Sequence, residues 1–483
     1  MLRFITSVIA FLYIVVNVLG QTVPVPMPVS GTLPVVYVVT KDSVAITSKV
    51  DYIDAKIWID PMGLDGYEAF GSEDSPVKTE IRGRGNSTWN ASKKPYKVKL
   101  KSKASPLGMA RNKHFALIAH APTQSYIYNE SSFELARLIG LGWVPNSVPV
   151  EFVLNGVNQG VYAFSETVRI DDGRLEIDEQ PDNNEDLTTI GAGWLVEIDN
   201  TVDSPQIIVN QNRDDTPGEH WSRFTIKTPE ELSEVQEEWI TNELKGIMRD
   251  VFNPDTLSEV AAADWMSRFD IVMLARYYII QELTCNFDAF IGSTYFYRAD
   301  EDSPWTMGPM WDSQWTWEVP YRTTNFWMER YQVTGGVNGK MIKPTWIMEM
   351  LKFKPFLDVV YEEWKKFYPS VSEQFLDFID DFYERTHVAY GTNELIWQLK
   401  SASLAAWCNN VRRRFVSYAE WFDGYISSAT SGLEHHEVDK VNRFPADVYN
   451  SMGICVKHNA MPDDMDNLPS GIYIVGGKKI IIK

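Results

Sequence analysis

Tyr96-Lys97-Val98-Lys99-Leu100 alternates apolar and cationic side chains. Successive side chains of a strand point to opposite faces, so this spacing fits a strand with one face in an apolar core and a row of ammonium groups on the other. Upstream stands Ile81-Arg82-Gly83-Arg84-Gly85-Asn86-Ser87-Thr88-Trp89, then Lys93-Lys94-Pro95. From Lys78 to Lys113 there are eleven Lys or Arg against Glu80 alone, a net of +10. The 483 residues total −20, so the rest of the chain carries −30. That bulk acidity argues against a nucleic-acid binder, whose phosphate contacts need surplus Lys and Arg. It does not exclude phosphate as a local ligand. Glycines beside small hydroxyl and amide side chains let backbone N–H groups approach an anion, and lysines on the next strand can neutralise phosphate oxygens. The ordinary reading is a glycine turn beside a solvated cationic strand, because a glycine-rich loop alone is weak evidence.

Hydrophobic residues make up 44 % and charged residues 23 %, a globular composition that excludes disorder throughout, a collagen-like chain and a polytopic membrane protein. The length suggests two to three units, or one large domain with insertions. Met1-Leu2-Arg3 followed by a largely apolar Phe4 to Leu19 and then Gly20 has the order of a secretory signal peptide over residues 1–20. The run is short of a bilayer span. This predicts a secreted or cell-surface protein with no membrane span in the mature chain. Cys285, Cys408 and Cys455 are widely spaced and odd in number, which gives neither a disulfide framework nor a metal-ligand pattern.

Residues 21–32 read as a proline-rich linker. Val35 to Val39, Lys56 to Ile59, Val148 to Leu154 and Val161 to Phe164 read as strands, with Asn155-Gly156 as a hairpin turn. Phe133 to Ile139 is a helix stopped by Gly140. Residues 171–186, with eight acidic residues against one Arg, read as a solvated loop. After Pro254 the pattern turns helical: Asp264 to Leu283, then stretches near 345–367, 371–386 and 392–424. Two short strands, Thr294 to Arg298 and Trp305 to Met310, interrupt it. Strands first and helices second make an α+β order. Residues 430–470 read as polar and irregular, and Leu468 to Lys483 as a hairpin about Gly476-Gly477.

A second constellation lies at Asn286-Phe287-Asp288-Ala289-Phe290-Ile291-Gly292-Ser293 and Met310-Trp311-Asp312. Asp288 follows a long helix and Asp312 follows a two-stranded hairpin. Protein kinases use this order, with a catalytic-loop Asp, a metal-ligand position five residues on (here Ser293) and then an Asp that holds Mg²⁺. Each Asp alone is better explained as a turn cap or a surface ion-pair partner. Joined to the glycine-lysine block they favour phosphoryl transfer. The 17 Trp and 22 Tyr also raise a glycan-binding surface protein, although aromatics are more often core.

At these residues the chain resembles the CotH kinase family, named from a bacterial spore-coat protein. The likeness rests on Leu33-Pro34 with its strand, Ile81 to Trp89, Lys93 to Leu100, Gly156 to Glu166, Gly193 to Asp199, Asn286 to Tyr297 and Gly308 to Asp312. It implies a bilobal, atypical protein-kinase-like fold over residues 33–425, and transfer of phosphate from ATP with Mg²⁺ or Mn²⁺ to Ser or Thr of a protein substrate. It implies Asp288 as the catalytic-loop Asp and Asp312 with Ser293 at the metal. Arg82, Gly83, Arg84, Gly85, Asn86, Ser87 and Thr88 would meet phosphate together with Lys94 or Lys97, and Glu166 and Glu197 would belong to the nucleotide pocket. Many members have a second Asp where this chain has Gln314, and an Arg in the helix after the lysine strand where it has Tyr128. Those two departures allow a catalytically weak pseudokinase acting as a surface or structural binding module. The last sixteen residues resemble the end of a type IX secretion sorting domain of Bacteroidetes, which makes 426–483 a polar linker and a sorting-like hairpin.

Overall fold

A computed structural model describes residues 22–120, 126–199, 206–210, 221–252, 265–286, 288–290, 292–317, 346–399, 403–430, 445–450, 455–461, 464–465, 468, 471–475 and 478–482. The signal peptide over 1–20 lies outside them. The chain divides into two compact units, Met1–Glu420 and Trp421–Lys483.

In the first unit, seven strands close into a barrel: β1 (Val35–Thr40), β2 (Ile53–Asp60), β3 (Val77–Gly83), β4 (Tyr96–Ala104), β5 (Asn112–Ile118), β6 (Ser147–Leu154) and β7 (Val157–Glu166), in the order β1-β2-β3-β4-β5-β7-β6. The closure is the parallel pairing of β1 with β6, from Val35↔Glu151 to Val38↔Leu154. The α+β order holds. The strand-rich first half closes into a barrel, because β1 pairs on both sides and leaves no edge. Tyr96, Val98 and Leu100 point into the core with Val36, Ile57, Ile81, Phe115 and Phe152, while Lys97 and Lys99 point out. The β6–β7 turn is built as its sequence predicts: Asn155 and Gly156 have φ of 49° and 80°, the pair of left-handed residues that a type I′ hairpin needs.

A five-stranded sheet follows, made of β8 (Trp194–Ile198), β9 (Gln206–Asn210), β10 (Trp221–Thr228), β11 (Thr294–Arg298) and β12 (Thr306–Met307), in the order β12-β11-β8-β10-β9. Its central strand β8 is buried along its whole length. The helices are α1 (Tyr128–Ile139), α2 (Glu234–Val251), α3 (Ile271–Thr284), α4 (Trp346–Met350), α5 (Lys354–Phe367), α6 (Ser370–Trp397) and α7 (Leu404–Thr430). Gly140, with φ 74°, ends α1 as expected. Of the helix expected from Asp264 to Leu283, Asp264 lies outside the described residues, 265–267 are helical, and a break at 268–270 precedes α3. Asp270 caps α3 by accepting from the amides of Val272 and Met273, and its own N–H goes to Trp305 O at 2.9 Å. α6 runs unbroken through 386–392, where a break was expected. Its buried stripe of Phe375, Ile379, Phe382, Thr386, Ala389, Tyr390, Asn393 and Ile396 continues across that stretch. The acidic loop is anchored at several points: buried Arg174 donates to Thr167 O at 3.0 Å and His114 O at 2.8 Å, Asp171 accepts from Lys103 Nζ at 2.6 Å, and Asp182 accepts from Glu230 N at 2.8 Å.

The second unit holds β13 (Ala446–Asn450), β14 (Cys455–Ala460), β15 (Gly471–Val475) and β16 (Lys478–Ile482), in the order β14-β13-β15-β16. The terminal hairpin is present, and its Gly476-Gly477 turn lies outside the described residues. β13 and β14 correct the irregular reading of 430–470: Val448, Ala460, Met465, Tyr473 and Val475 supply a small core that the polar composition concealed. Among the described residues no helix is long and apolar enough to cross a membrane.

A buried contact ties the barrel to α6. Lys93 Nζ donates to Asn393 Oδ1 at 2.9 Å and to Val161 O, and lies 4.5 Å from the centre of the Tyr162 ring. The same Asn393 Oδ1 accepts from Val161 N at 3.1 Å, and Asn393 Nδ2 donates to the Tyr126 hydroxyl at 3.0 Å. Asn393→Ala strips one acceptor from a buried amine and leaves other buried groups unpaired. It is expected to lower unfolding stability by about 2–4 kcal/mol in chemical denaturation. Lys93→Met combined with Asn393→Leu should recover part of that loss, because no amine is then left short of a partner.

Candidate active site

A cleft of about 960 Å³ opens on the outer face of the barrel. β4 turns Lys97 into it, and the β3–β4 connection adds Arg82, Arg84, Gly85, Asn86, Ser87 and Thr88. β8 contributes Glu197, and the segments after α3 and β12 contribute Asp288, Ser293 and Asp312. Residues predicted from two distant stretches of sequence therefore line one cavity.

Three predicted residues do not line it. Gly83 ends β3, and a Cβ there would fall 2.4 Å from the Trp89 ring, so this glycine exists to admit the indole. Lys94 Nζ is spent on the turn itself, donating to Trp89 O at 2.8 Å and Ala91 O at 3.3 Å. Of the two lysines offered for phosphate, the cleft contains Lys97. Glu166 is fully buried and holds backbone instead, accepting from Ala110 N at 2.8 Å and Asn146 N at 2.9 Å.

The cationic side is dense. Lys97 is partly desolvated and faces Arg82, Arg169, Arg84 and Lys227. Burial first, and then these like charges, push its ammonium down to about 8. Burial also lowers Arg84, against the pull of Asp312, and its guanidinium lies 5.4 Å from the centre of the Trp311 ring. Gly85, at φ 81°, takes a conformation that favours glycine, and Lys49 Nζ donates to its carbonyl at 3.0 Å.

The acidic side is fixed by strained backbone. Asp312 has φ 53° and Ser293 φ 48°, the left-handed region that non-glycine residues seldom occupy and that clusters at functional sites. The Ser293 hydroxyl hydrogen-bonds Asp312. Burial raises the Asp312 carboxyl, Arg84 and Ser293 oppose that, and Asp199 adds to it. Asp288 is half-buried on a braced loop: its N–H donates to Asn286 Oδ1 at 3.1 Å, its carbonyl accepts from Gly292 N at 2.8 Å, and Phe290 N donates to Thr294 Oγ1 at 2.8 Å. Phe287 and Ile291 lie outside the described residues. Glu197 pairs with Lys227 Nζ at 3.3 Å. Burial still pushes its carboxyl up to about 7, with Asp199 adding to the rise while Lys227 and the Tyr295 hydroxyl oppose it.

The sequence reading missed several lining residues. Arg169 follows β7, and Lys227 sits in the alternating Phe224-Thr225-Ile226-Lys227, a pattern that could have exposed it. His120 and Asn129 line the cleft while almost fully buried. Burial and then Lys93 hold the His120 imidazole down to about 3, so it is neutral. Gln314, at the position where the resemblance led to the expectation of a second Asp, lines the cleft. Tyr128 turns away, its hydroxyl accepting from Asn410 Nδ2 at 3.1 Å, and its neighbour Asn129 reaches the cavity instead. Trp311 and Trp315 also line it, whereas Trp194, Trp265, Trp305, Trp317 and Trp364 are core. The aromatic count is therefore explained mainly by packing.

The sequence model of the family described as CotH kinase protein matches residues 81–421. The chain belongs to the CotH kinase family. No curated protein matches it. The CotH match contains every lining residue of the cleft except Lys49 and Val50. It leaves out β1 and β2, so the first two staves of the barrel lie upstream of the matched region.

The raised Glu197 carboxyl has a consequence for stability. Its ordinary value is 4.5 and its folded value about 7, so between those values the folded chain holds a proton that the unfolded chain has lost. Stability therefore falls as pH rises through that window and stays lower above it. At about 1.4 kcal/mol per unit, Glu197→Gln is expected to flatten the decline between about pH 5 and pH 8 by roughly 1–3 kcal/mol in urea titrations.

Proposed function

We propose that this chain is an exported protein kinase that moves the γ-phosphoryl group of ATP to a Ser or Thr hydroxyl of a secreted or surface protein, with Mg²⁺ or Mn²⁺. The observation that carries this reading is the meeting in one cleft of Lys97, Arg82 and Arg84 with Asp288 and the Ser293–Asp312 pair. Family membership supports phosphoryl transfer as the chemistry. Export rests on the sequence of residues 1–20 and the sorting-like tail.

The donor set fits a hard divalent cation. The Asp312 carboxylate and Ser293 hydroxyl offer oxygen ligands, and burial that disfavours an isolated carboxylate anion favours a cation beside it. A bound cation would neutralise charge on the transferring phosphate. The protein's own groups do the rest. Lys97 and the two arginines hold phosphate oxygens. Asp288 orients the acceptor hydroxyl and takes its proton as the oxygen bonds to phosphorus and ADP leaves. Trp311, against the Arg84 guanidinium, lines that end of the cleft.

Incubation with ATP, Mg²⁺ or Mn²⁺ and a Ser-rich acceptor should label the acceptor. Asp288→Ala should lower the rate by about 10²–10⁴-fold, and Asp312→Asn should abolish the metal-dependent nucleotide thermal shift. Equal labelling by wild type and Asp288→Ala refutes the reading. Lys97 adds a pH test. Its free value is about 8, and a bound polyphosphate favours the ammonium, so nucleotide binding takes up a proton. Affinity should fall as pH rises above about 8, a decline that Lys97→Arg removes because guanidinium stays charged.

A second reading, nucleotide binding without transfer, draws on Gln314. A neutral amide is a poorer ligand for a hard cation than the carboxylate many relatives carry there. A metal-dependent nucleotide shift with no labelling of any acceptor would favour it.

A further inference from the structure

In the second unit, Asp447, Cys455 and His458 bring a carboxylate oxygen, a thiol and an imidazole nitrogen to within 4.8 Å of one another. Strand register brings this about. β13 and β14 pair antiparallel, with Tyr449 opposite Cys455, Val448 opposite Lys457 and Ala446 opposite Ala460. Two irregularities in that ladder give β14 extra residues, so His458 and Asn459 both stand against Asp447. Residues 447 and 449 share a face of their strand, and Cys455 opposite the second of them reaches the same side.

We propose that Asp447, Cys455 and His458 form a Zn²⁺ site. The three donor types are those that zinc takes, and the spacing fits its tetrahedron. With bonds of about 2.3 Å to sulfur and about 2.0–2.2 Å to nitrogen and oxygen, tetrahedral edges are about 3.6 Å for S···N and about 3.4 Å for N···O. Here His458 Nδ1 lies 3.5 Å from Cys455 Sγ and 3.2 Å from Asp447 Oδ1. One nitrogen therefore already sits at both edges. The carboxylate is held in place by Asn459 N, which donates to the same Oδ1 at 2.9 Å, and by the Tyr449 hydroxyl, contacts of the kind that orient metal ligands. The nearest lysine in the strand, Lys457, is neutralised by Asp464 at 2.6 Å. Three protein ligands leave a fourth position for water or an added ligand. A soft sulfur donor separates this site from the all-oxygen pair of the cleft, and it stands independently of the kinase reading.

The test uses the full chain with its thiols reduced. One equivalent of Co²⁺ should give thiolate-to-cobalt charge-transfer absorption that Zn²⁺ displaces. Cys455→Ser should abolish that absorption, and His458→Ala should weaken Zn²⁺ binding at least about tenfold. Wild-type protein supplies a readout that needs no variant: Zn²⁺ should slow alkylation of Cys455, mapped by peptide mass spectrometry, and leave buried Cys285 and Cys408 unchanged. Absence of the cobalt band, or equal alkylation of Cys455 with and without Zn²⁺, overturns the site.

Discussion

Lys97 is held beside four other cations in a place that solvent reaches poorly, and much of the cleft answers to that arrangement. Burial works against charge on both sides of the cavity. It lowers Lys97 and Arg84 and raises Glu197 and Asp312. Arg84 and Asp312 each oppose the other's shift and Lys227 opposes that of Glu197, whereas the four neighbouring cations add to that of Lys97. Such opposed shifts are typical of functional sites. A polyphosphate carrying a divalent cation would satisfy both sides together, offering anionic oxygens to the bases and positive charge to the carboxylates. The strained backbone at Ser293 and Asp312 is consistent with that tension, because it holds oxygens where relaxed chain would not place them.

How much of this was legible in the sequence follows from the range over which each signal acts. The alternation at 96–100 told which lysines leave the core, because period two is a property of the strand itself. It could not say which of Lys94 and Lys97 lines the cleft. That depends on the turn ahead of the strand, where Lys94 is drawn back onto the carbonyls of Trp89 and Ala91. Asp288 and Asp312 could be singled out because the order of elements around them is long and regular, and both line the cleft. Glu166 was misplaced because a buried carboxylate clamping two backbone amides looks, in sequence, the same as one facing a ligand. His120 and Asn129 carry no local pattern. They reach the cleft only because β5 and the start of α1 meet there.

The helical half shows the same division. Caps are local, so Gly140 ended α1 where expected. The continuity of α6 is set by a stripe that packs against other elements, and Gly391 within it marks no break. The small sheet of the second unit lay hidden in a polar stretch because its core is small: among the described residues, five buried side chains form it. Its Cys-x-x-His pair gains a third ligand only through the register of two strands.

The barrel explains why a cationic strand can be held this firmly. β4 pairs with β3 on one side and β5 on the other, and closure of the ring supports those two neighbours in turn. Here β1 pairs with β6 as well as β2, so every stave, β4 included, has a neighbour on each side. The two staves that complete the ring, β1 and β2, lie outside the region matched by the family. Residues 33–60 therefore belong to the machinery of the cleft although none of them except Lys49 and Val50 lines it. The Lys93–Asn393 contact then fixes the barrel to α6 within four residues of Lys97. Lys97, which lines the cleft, and Lys93, which anchors the barrel to α6, thus stand on one short stretch of chain, and moving either would move the other.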